Sequence, residues 1–430
     1  MQFKSVVSLP GMQWFFFIFC NIVVVPPTLQ SAYSLPAGSY IALMQNYLIV
    51  TAVACLVQVL FGHRRALMEG PAGLWWGTLL SVTAAEASAG IPLSDIGGSF
   101  ALGAALTGVM TFLIGWFGIG SRLSRLFTPP LMAVYMLLFT AQVSTIFFKS
   151  MLGLSFSAGG GEPIIHWGPF ALAVVISLST VLFLVFMPPT YRKFSMLMAI
   201  IIGWAMYYGL FSRETEIAEK ATFALNLLPL GVPEHIRIEI VLLSVFTGLV
   251  NLSNTFGTIK SSELYYDKKD ENLYKRTFMA SGALTVLGAP FGCLPMTPFG
   301  SSIGLINQTG DKTIKPVIYG SIVLLLIGLN SPLLMFFASI PSVITSAVML
   351  ISYMTLLWPF MTFLNHTNLN PRNIYRISIP VCFGIFLIGV PHSYFAGLPE
   401  ILIPFVGNGL LMGVLISALL EALVPWDKVK

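Results

Sequence analysis

APFGCLPMTPFGSSIGL, residues 289–305, lies in one of the most apolar parts of the chain, yet it holds Pro290, Pro295 and Pro298 together with Gly292, Gly300 and Gly304. Proline removes a backbone donor and blocks the preceding helical turn. Glycine permits backbone that no helix contains. A chain built for lipid has no obvious reason to break its own helix there, because unpaired N–H and C=O groups are costly in hydrocarbon. Such a segment persists at membrane depth where protein or a water-filled cavity satisfies its backbone.

Lipid is the setting that composition imposes. Of 430 residues, 56% are hydrophobic and 9% charged, with mean hydropathy +0.85. A soluble domain carries roughly 25% charged residues, so this chain reads as an integral membrane protein. Apolar windows between turn and charge signals fall near 11–27, 41–61, 66–84, 98–119, 127–148, 168–187, 194–211, 236–257, 277–290, 292–306, 316–337, 341–364, 374–391 and 398–424. The expected fold is therefore an all-α polytopic membrane protein of fourteen segments. The apolar run from Gly11 to Val25 reads as a retained first span rather than a cleaved signal peptide, since no small-x-small site follows it.

With the N-terminus inside, eighteen of the 22 Lys and Arg residues fall on the cytoplasmic side. The exceptions are Lys149, Arg213, Lys220 and Arg237. That bias fits the positive-inside rule and places both termini in the cytoplasm. The loop Ser212–Glu234 then divides the chain into residues 1–211 and 235–430, seven segments each. An odd number per half inverts the second half relative to the first, the inverted repeat of many secondary transporters.

The third segment of the first half is broken as well: MEGPAGLWW, residues 68–76, holds Gly70, Pro71 and Gly73. Interruptions at matching positions of two halves point to a transport site. Both stretches are expected to be unwound entries leading into half-helices, whose free N–H groups face a central cavity and bind a polar or anionic guest. Polar residues support the placement. Gln13 and Asn21 lie eight apart on segment one, and Asn251, Asn254 and Thr258 recur at three- and four-residue spacing on segment eight. Interhelical hydrogen bonding is the plainer role for these amides. Glu69, beside Gly70, is the one acid placed inside a broken segment, a coupling candidate by default. Its plainer role is an ion pair with Arg64 or Arg65. Glu86, Asp95, Glu162 and Glu400 are expected in outside loops. The four cysteines, Cys20, Cys55, Cys293 and Cys382, read as small core residues, and neither they nor the scattered histidines form a metal-ligand pattern. No cofactor is expected.

Several stretches resemble the uracil/xanthine permeases of the nucleobase–ascorbate transporter family. Leu9-Pro-Gly-Met-Gln13 through Val25-Pro26 is similar to the family's opening helix, with Gln13-Trp14 where the family has Gln-His. Leu126-Phe-Thr-Pro-Pro130, Arg276 through Gly282, and Ile340-Pro341 resemble the starts of its segments five, nine and twelve. Phe299-Gly300-Ser-Ser-Ile-Gly304 through Thr309-Gly310 resembles its signature. The resemblance implies short strands in segments three and ten with the base held between them. It implies a core domain of segments 1–4 and 8–11 and a gate domain of segments 5–7 and 12–14, through which such proteins dimerise. Gly73 and Gly300 would meet substrate through backbone, Phe299 would pack on its ring, and Asn21 would line the pocket; Ser301 and Ser302 follow the glycine. The departures are chemical. Asn254 and Ser301 stand where uracil-type members carry glutamates, and Pro71 and Ala72 where serines are usual.

The implied function is secondary transport of a purine or pyrimidine across the plasma membrane, coupled to protons or another cation. An anion carrier of the same inverted-seven fold, moving sulfate or bicarbonate, is the alternative. A membrane enzyme or sensor would need a nucleophile–base pair, a metal cluster or a soluble domain, none of which the sequence displays. Membrane lipid is the expected surrounding partner; nucleic acid is not expected to bind.

Overall fold

The computed structural model describes residues 9–88, 90–120, 127–154, 165–192, 194–211, 226–263, 265–266, 270, 272–390, 394, 397–399, 402, 406 and 408–426. Most of the 212–234 loop, Lys4, Glu162 and Glu400 lie outside them. The first half runs α1 (Leu9–Val23), α2 (Val25–Tyr33), α3 (Ala37–Leu60), β1 (Glu69–Pro71), α4 (Gly73–Ser88), α5 (Leu93–Trp116), α6 (Pro129–Met151), α7 (Trp167–Phe186) and α8 (Ser195–Leu210). The second runs α9 (Ile238–Ser262), α10 (Leu273–Gly288), β2 (Met296–Pro298), α11 (Ser301–Thr309), α12 (Lys315–Leu329), α13 (Ser331–Ala338), α14 (Ser342–Met354), α15 (Leu357–Asn365), α16 (Tyr375–Gly389) and α17 (Gly409–Leu423).

Six helical stretches are long and apolar enough to cross a bilayer, and a seventh if α12 and α13, bent by 103°, count as one span. Several expected spans are split instead, and the breaks have local causes. Pro26 and Pro27 occupy the first turn of α2, where their missing N–H groups cost nothing, and α1 ends just before them, although the two helices continue as one apolar stretch, Leu9–Tyr33. At the α12–α13 bend, the Asn330 side chain accepts from the Leu333 amide 3.0 Å away and caps the new helix.

Both broken segments are strands followed by helices, as expected. β1 and β2 pair antiparallel, Glu69 opposite Pro298, Gly70 opposite Thr297 and Pro71 opposite Met296. The Ala72 amide donates to Pro295 O at 2.9 Å and the Phe299 amide to Met68 O at 3.0 Å, extending the ladder at both ends. All six strand residues are buried. Each strand thus supplies what the other lacks at a depth where water cannot.

Close helix contacts hold this pair in place. Where α5 meets α10, a Cβ added at Gly108 would fall 2.9 Å from Gly282 O, and one at Gly282 2.6 Å from Gly108 O. Small residues at such crossings let backbones approach and gain dispersion contacts. The boundaries of α4 and α5 also correct an expectation. Glu86 and Asp95 lie in helices and are buried, not in an outside loop. Asp95 Oδ1 accepts the amides of Glu234 (2.8 Å) and His235 (3.2 Å), tying the end of the interhalf loop to α5.

Candidate functional site

The strand pair is the centre of the site. α1 packs against β1, and α9 packs against β2. α9 brings a buried polar face made of Asn251, Ser253, Asn254, Thr255 and Thr258. Asn254 Nδ2 donates to Thr297 Oγ1 at 3.0 Å, so the segment-eight amide binds a strand side chain directly. Thr258 Oγ1 is buried without a hydrogen-bond partner among the described residues and lies 3.5 Å from where a Gly300 Cβ would be. On α1, Asn21 Nδ2 donates to Phe17 O at 2.7 Å, while its Oδ1 is buried and unpartnered among the described residues. A buried acceptor left unmatched costs about 1–3 kcal/mol, a cost that binding sites carry until a ligand arrives.

Phe299 and the glycines are arranged by close approach. A Cβ on Gly70 would sit 2.9 Å from the Phe299 ring, so that ring lies across β1. Gly73 opens α4 against the Phe139 ring, 2.5 Å from a would-be Cβ. Gly300 precedes α11. The Ser302 and Ile303 amides turn back to Phe299 O (3.1 Å) and Gly300 O (3.0 Å), which leaves the Gly300 and Ser301 amides at the helix tip. Ser301 is half-buried there. Ser302 is spent elsewhere, since its Oγ accepts the Met68 amide at 3.0 Å and latches α11 to the start of β1.

Asn254, Thr258, Phe299, Gly300 and Ser302 therefore converge on the strand pair. Gln13 is buried on α1, eight residues before Asn21 and about 12 Å along the axis. Its end of α1 meets α12 instead, where Gly320 lies against the Trp14–Phe15 backbone.

Glu69 is fully buried, and the plainer role of an ion pair with Arg65 is not the one it takes. Arg65 turns to α9, with Nη1 donating to Ile259 O (3.0 Å) and to Ser262 Oγ (2.5 Å), and its guanidinium lies over the Tyr266 ring. The carboxylate instead faces His63, with Nε2 3.5 Å from Oε1. A guanidinium with two oxygen acceptors on α9 and the aromatic face of Tyr266 beyond it has no need of the acid. His63 was not singled out in the sequence because no regular spacing joins it to Glu69. Cys55, another residue missed there, accepts the Glu69 amide at 3.2 Å. Of the four cysteines, Cys382 departs from the expected core role, being exposed.

Comparison with known proteins bears on this arrangement. Residues 5–393 match the family model Xan_ur_permease, described as "Permease family". The chain belongs to that permease family. It is a transporter, not an enzyme, and a multi-pass membrane protein. Among curated relatives, YwdJ of Bacillus subtilis, provisionally named a purine permease, is 25% identical over 98% of this chain and 97% of its own length. The uric acid transporter UacT of Escherichia coli is 23% identical over 96% of this chain and 84% of its own. The xanthine permease of Bacillus subtilis is 24% identical over 97% and 93%. Among solved structures, the transmembrane domain of a cyanobacterial bicarbonate transporter, BicA, aligns with TM-score 0.56 at 14% identity, covering 98% of both chains. The murine anion transporter Slc26a9, in its inward-facing state, aligns with TM-score 0.58 at 15% identity, covering 98% of this permease and 69% of that chain. At such identities the likeness is one of fold.

Proposed function

We propose that this permease carries a nucleobase-like molecule, a purine or pyrimidine, across the plasma membrane by alternating access, with both termini in the cytoplasm. The observation that carries the reading is the buried β1–β2 pair, flanked by unmatched acceptors from α1 and α9. A base offers a flat face to Phe299, and ring N–H and C=O groups to Asn21, Asn254, Thr258, Ser301 and the backbone near Gly73 and Gly300. An asparagine presents both a donor and an acceptor to such an edge. Names of relatives matched over nearly the whole chain favour purines. The fourteen segments form two inverted sevens, residues 1–211 and 235–430. Segments 1–4 and 8–11 make a core that moves against a gate of segments 5–7 and 12–14, and the gate is the surface for a homodimer.

The solved neighbours named for anion transport support a second reading, bicarbonate or sulfate at the tips of α4 and α11. Thermal stabilisation of the purified protein separates the two. Xanthine, uric acid and uracil are compared with bicarbonate and sulfate, and stabilisation by a base but by neither anion is expected; the reverse result overturns the reading. In Asn254→Ala, loss of a hydrogen bond worth about 1 kcal/mol weakens base binding roughly fivefold, read as a higher half-saturating concentration.

A further inference from the structure

The buried Glu69 has a job that the base-binding groups do not explain. Its main chain is fixed: the amide donates to Cys55 Sγ on α3, and the residue sits opposite Pro298 in the strand pair. Its side chain leaves that pair and meets His63. Neither carboxyl oxygen has a hydrogen-bond partner among the described residues, and both side chains are fully buried. His63 Nδ1 accepts the Arg65 amide at 3.1 Å. That bond assigns the imidazole its tautomer: the proton sits on Nε2, the atom facing Glu69 Oε1. The imidazole is thereby neutral and held in place by backbone, its Nε2–H facing the acid without bonding it in this conformation, and the site's variable proton belongs to the carboxyl group.

The surroundings leave that proton no competing counter-charge. From α3 the ionisable neighbour is Cys55, engaged with the Glu69 backbone. The 61–68 connection offers His63, Arg64 and Arg65; Arg64 is exposed, on the side of Asp270, and Arg65 is directed at α9, near Tyr266 and Glu263. β2 carries no ionisable side chain, and α1 only the Cys20 thiol. Among the described residues no Lys or Arg pairs with the carboxylate.

We propose that Glu69 is a proton-binding site of the transport cycle, with His63 as its positioning residue, displaced from segments eight and ten to the root of β1. The inference rests on the transport reading. In the loading step, a hydronium ion on one side of the membrane breaks an O–H bond and returns to water, an O–H bond forms on the Glu69 carboxylate, and the acid is sealed in the buried position it holds here. In the other conformation the O–H bond breaks and the proton passes to water. Met68 O and N hold Phe299 and Ser302, so charge at Glu69 arises one residue from the peptide that anchors the substrate bed.

Two readouts test this, one independent of substrate. The infrared pH-difference spectrum of the purified protein is expected to contain a buried-carboxyl band that Glu69→Gln removes. In proteoliposomes, an inward proton gradient is expected to drive accumulation of labelled xanthine several-fold, and Glu69→Gln is expected to lose that stimulation while counterflow continues. A band that survives Glu69→Gln, or gradient-driven accumulation in that variant, overturns the proposal. If the variant does not fold, His63→Leu carries the test: loss of the donor moves the band's midpoint to higher pH, and an unmoved midpoint overturns the role of His63. If no base binds the wild type but the Glu69 band is present, the substrate reading fails and the proton site stands.

Discussion

The two strand-led arms share a plan and differ in their surroundings. The first, β1 with α4, is packed on every side. Phe139 of α6 presses on Gly73, Gln142 lies 2.3 Å from a would-be Cβ of Gly77, and Trp76 Nε1 donates to Thr28 Oγ1 at 2.8 Å. Asn408, at the start of α17, donates from Nδ2 to Thr78 Oγ1 at 2.7 Å. The second arm, β2 with α11, is open beyond its first turn. Ser301, Ile303 and Gly304 are half-buried, Asn307 is exposed, and a Cβ on Gly304 would meet no described atom within 4 Å. On the proposed topology α4 runs outward and α11 inward, so the outer face is sealed against the gate and the cytoplasmic face is open. Close packing onto small residues and a buried polar contact make the seal; α11 has a small residue in Gly304, but nothing packs on it here.

Filling the sealed side gives the largest expected effect. In Gly73→Leu the new side chain starts 2.5 Å from the Phe139 ring and 3.6 Å from Val143 Cγ2. Overpacking of this kind costs about 1–3 kcal/mol. Under the proposed alternating access this contact forms in one state only, so uptake is expected to fall roughly five- to a hundredfold, measured in vesicles against the amount of folded protein. Ordinary uptake by Gly73→Leu would mean that the Gly73–Phe139 contact is not used during transport.

How far the sequence revealed this comparison depends on which interactions are local. Proline and glycine act on their own backbone, so MEGPAGLWW and MTPFGSS could be read as unwound entries leading into half-helices from residue type alone, whereas the strands were implied only by the family resemblance. Asn254 was found because helical spacing places it on one face with Asn251 and Thr258. Its partner Thr297 lies 43 residues away and carries no such signal. Burial of Glu86 and Asp95 was missed because charge counting assigns acids to loops, while the chain spends Asp95 on the amides of Glu234 and His235. The His63–Glu69 contact depends on a backbone turn that neither periodicity nor charge encodes. What remained hidden were contacts between distant elements, including every one that distinguishes the closed arm from the open one.

Removing the polar latch is expected to have an intermediate effect. In Asn408→Ala, Thr78 Oγ1 loses a donor in a buried site, a cost of about 1–3 kcal/mol borne by the outward-closed state. The equilibrium shifts toward the outward-open state by roughly five- to a hundredfold. A cysteine placed by Gly304→Cys, in a background with the exposed Cys382 changed to Ser, reports the shift. Its labelling by a membrane-impermeant thiol reagent in inside-out vesicles is expected to slow when Asn408→Ala is added. Unchanged or faster labelling would separate the latch from the opening of α11.

Gly304→Ala should have the smallest effect, and that is its use. The added methyl meets open space here, and alanine is favoured over glycine inside a helix by about 1 kcal/mol. In this conformation the substitution is therefore neutral or slightly stabilising, and the thermal midpoint is expected to hold or rise by a few degrees. If the cycle closes α11 against the gate as α4 is closed now, Gly304 becomes the counterpart of Gly73 or Gly77, and a larger residue is penalised only in that second state. Gly304→Leu should then keep its thermal midpoint in the absence of substrate yet transport more slowly than Gly304→Ala. Equal transport by the two would show that α11 never meets the gate closely, and that the two arms differ permanently rather than by turns.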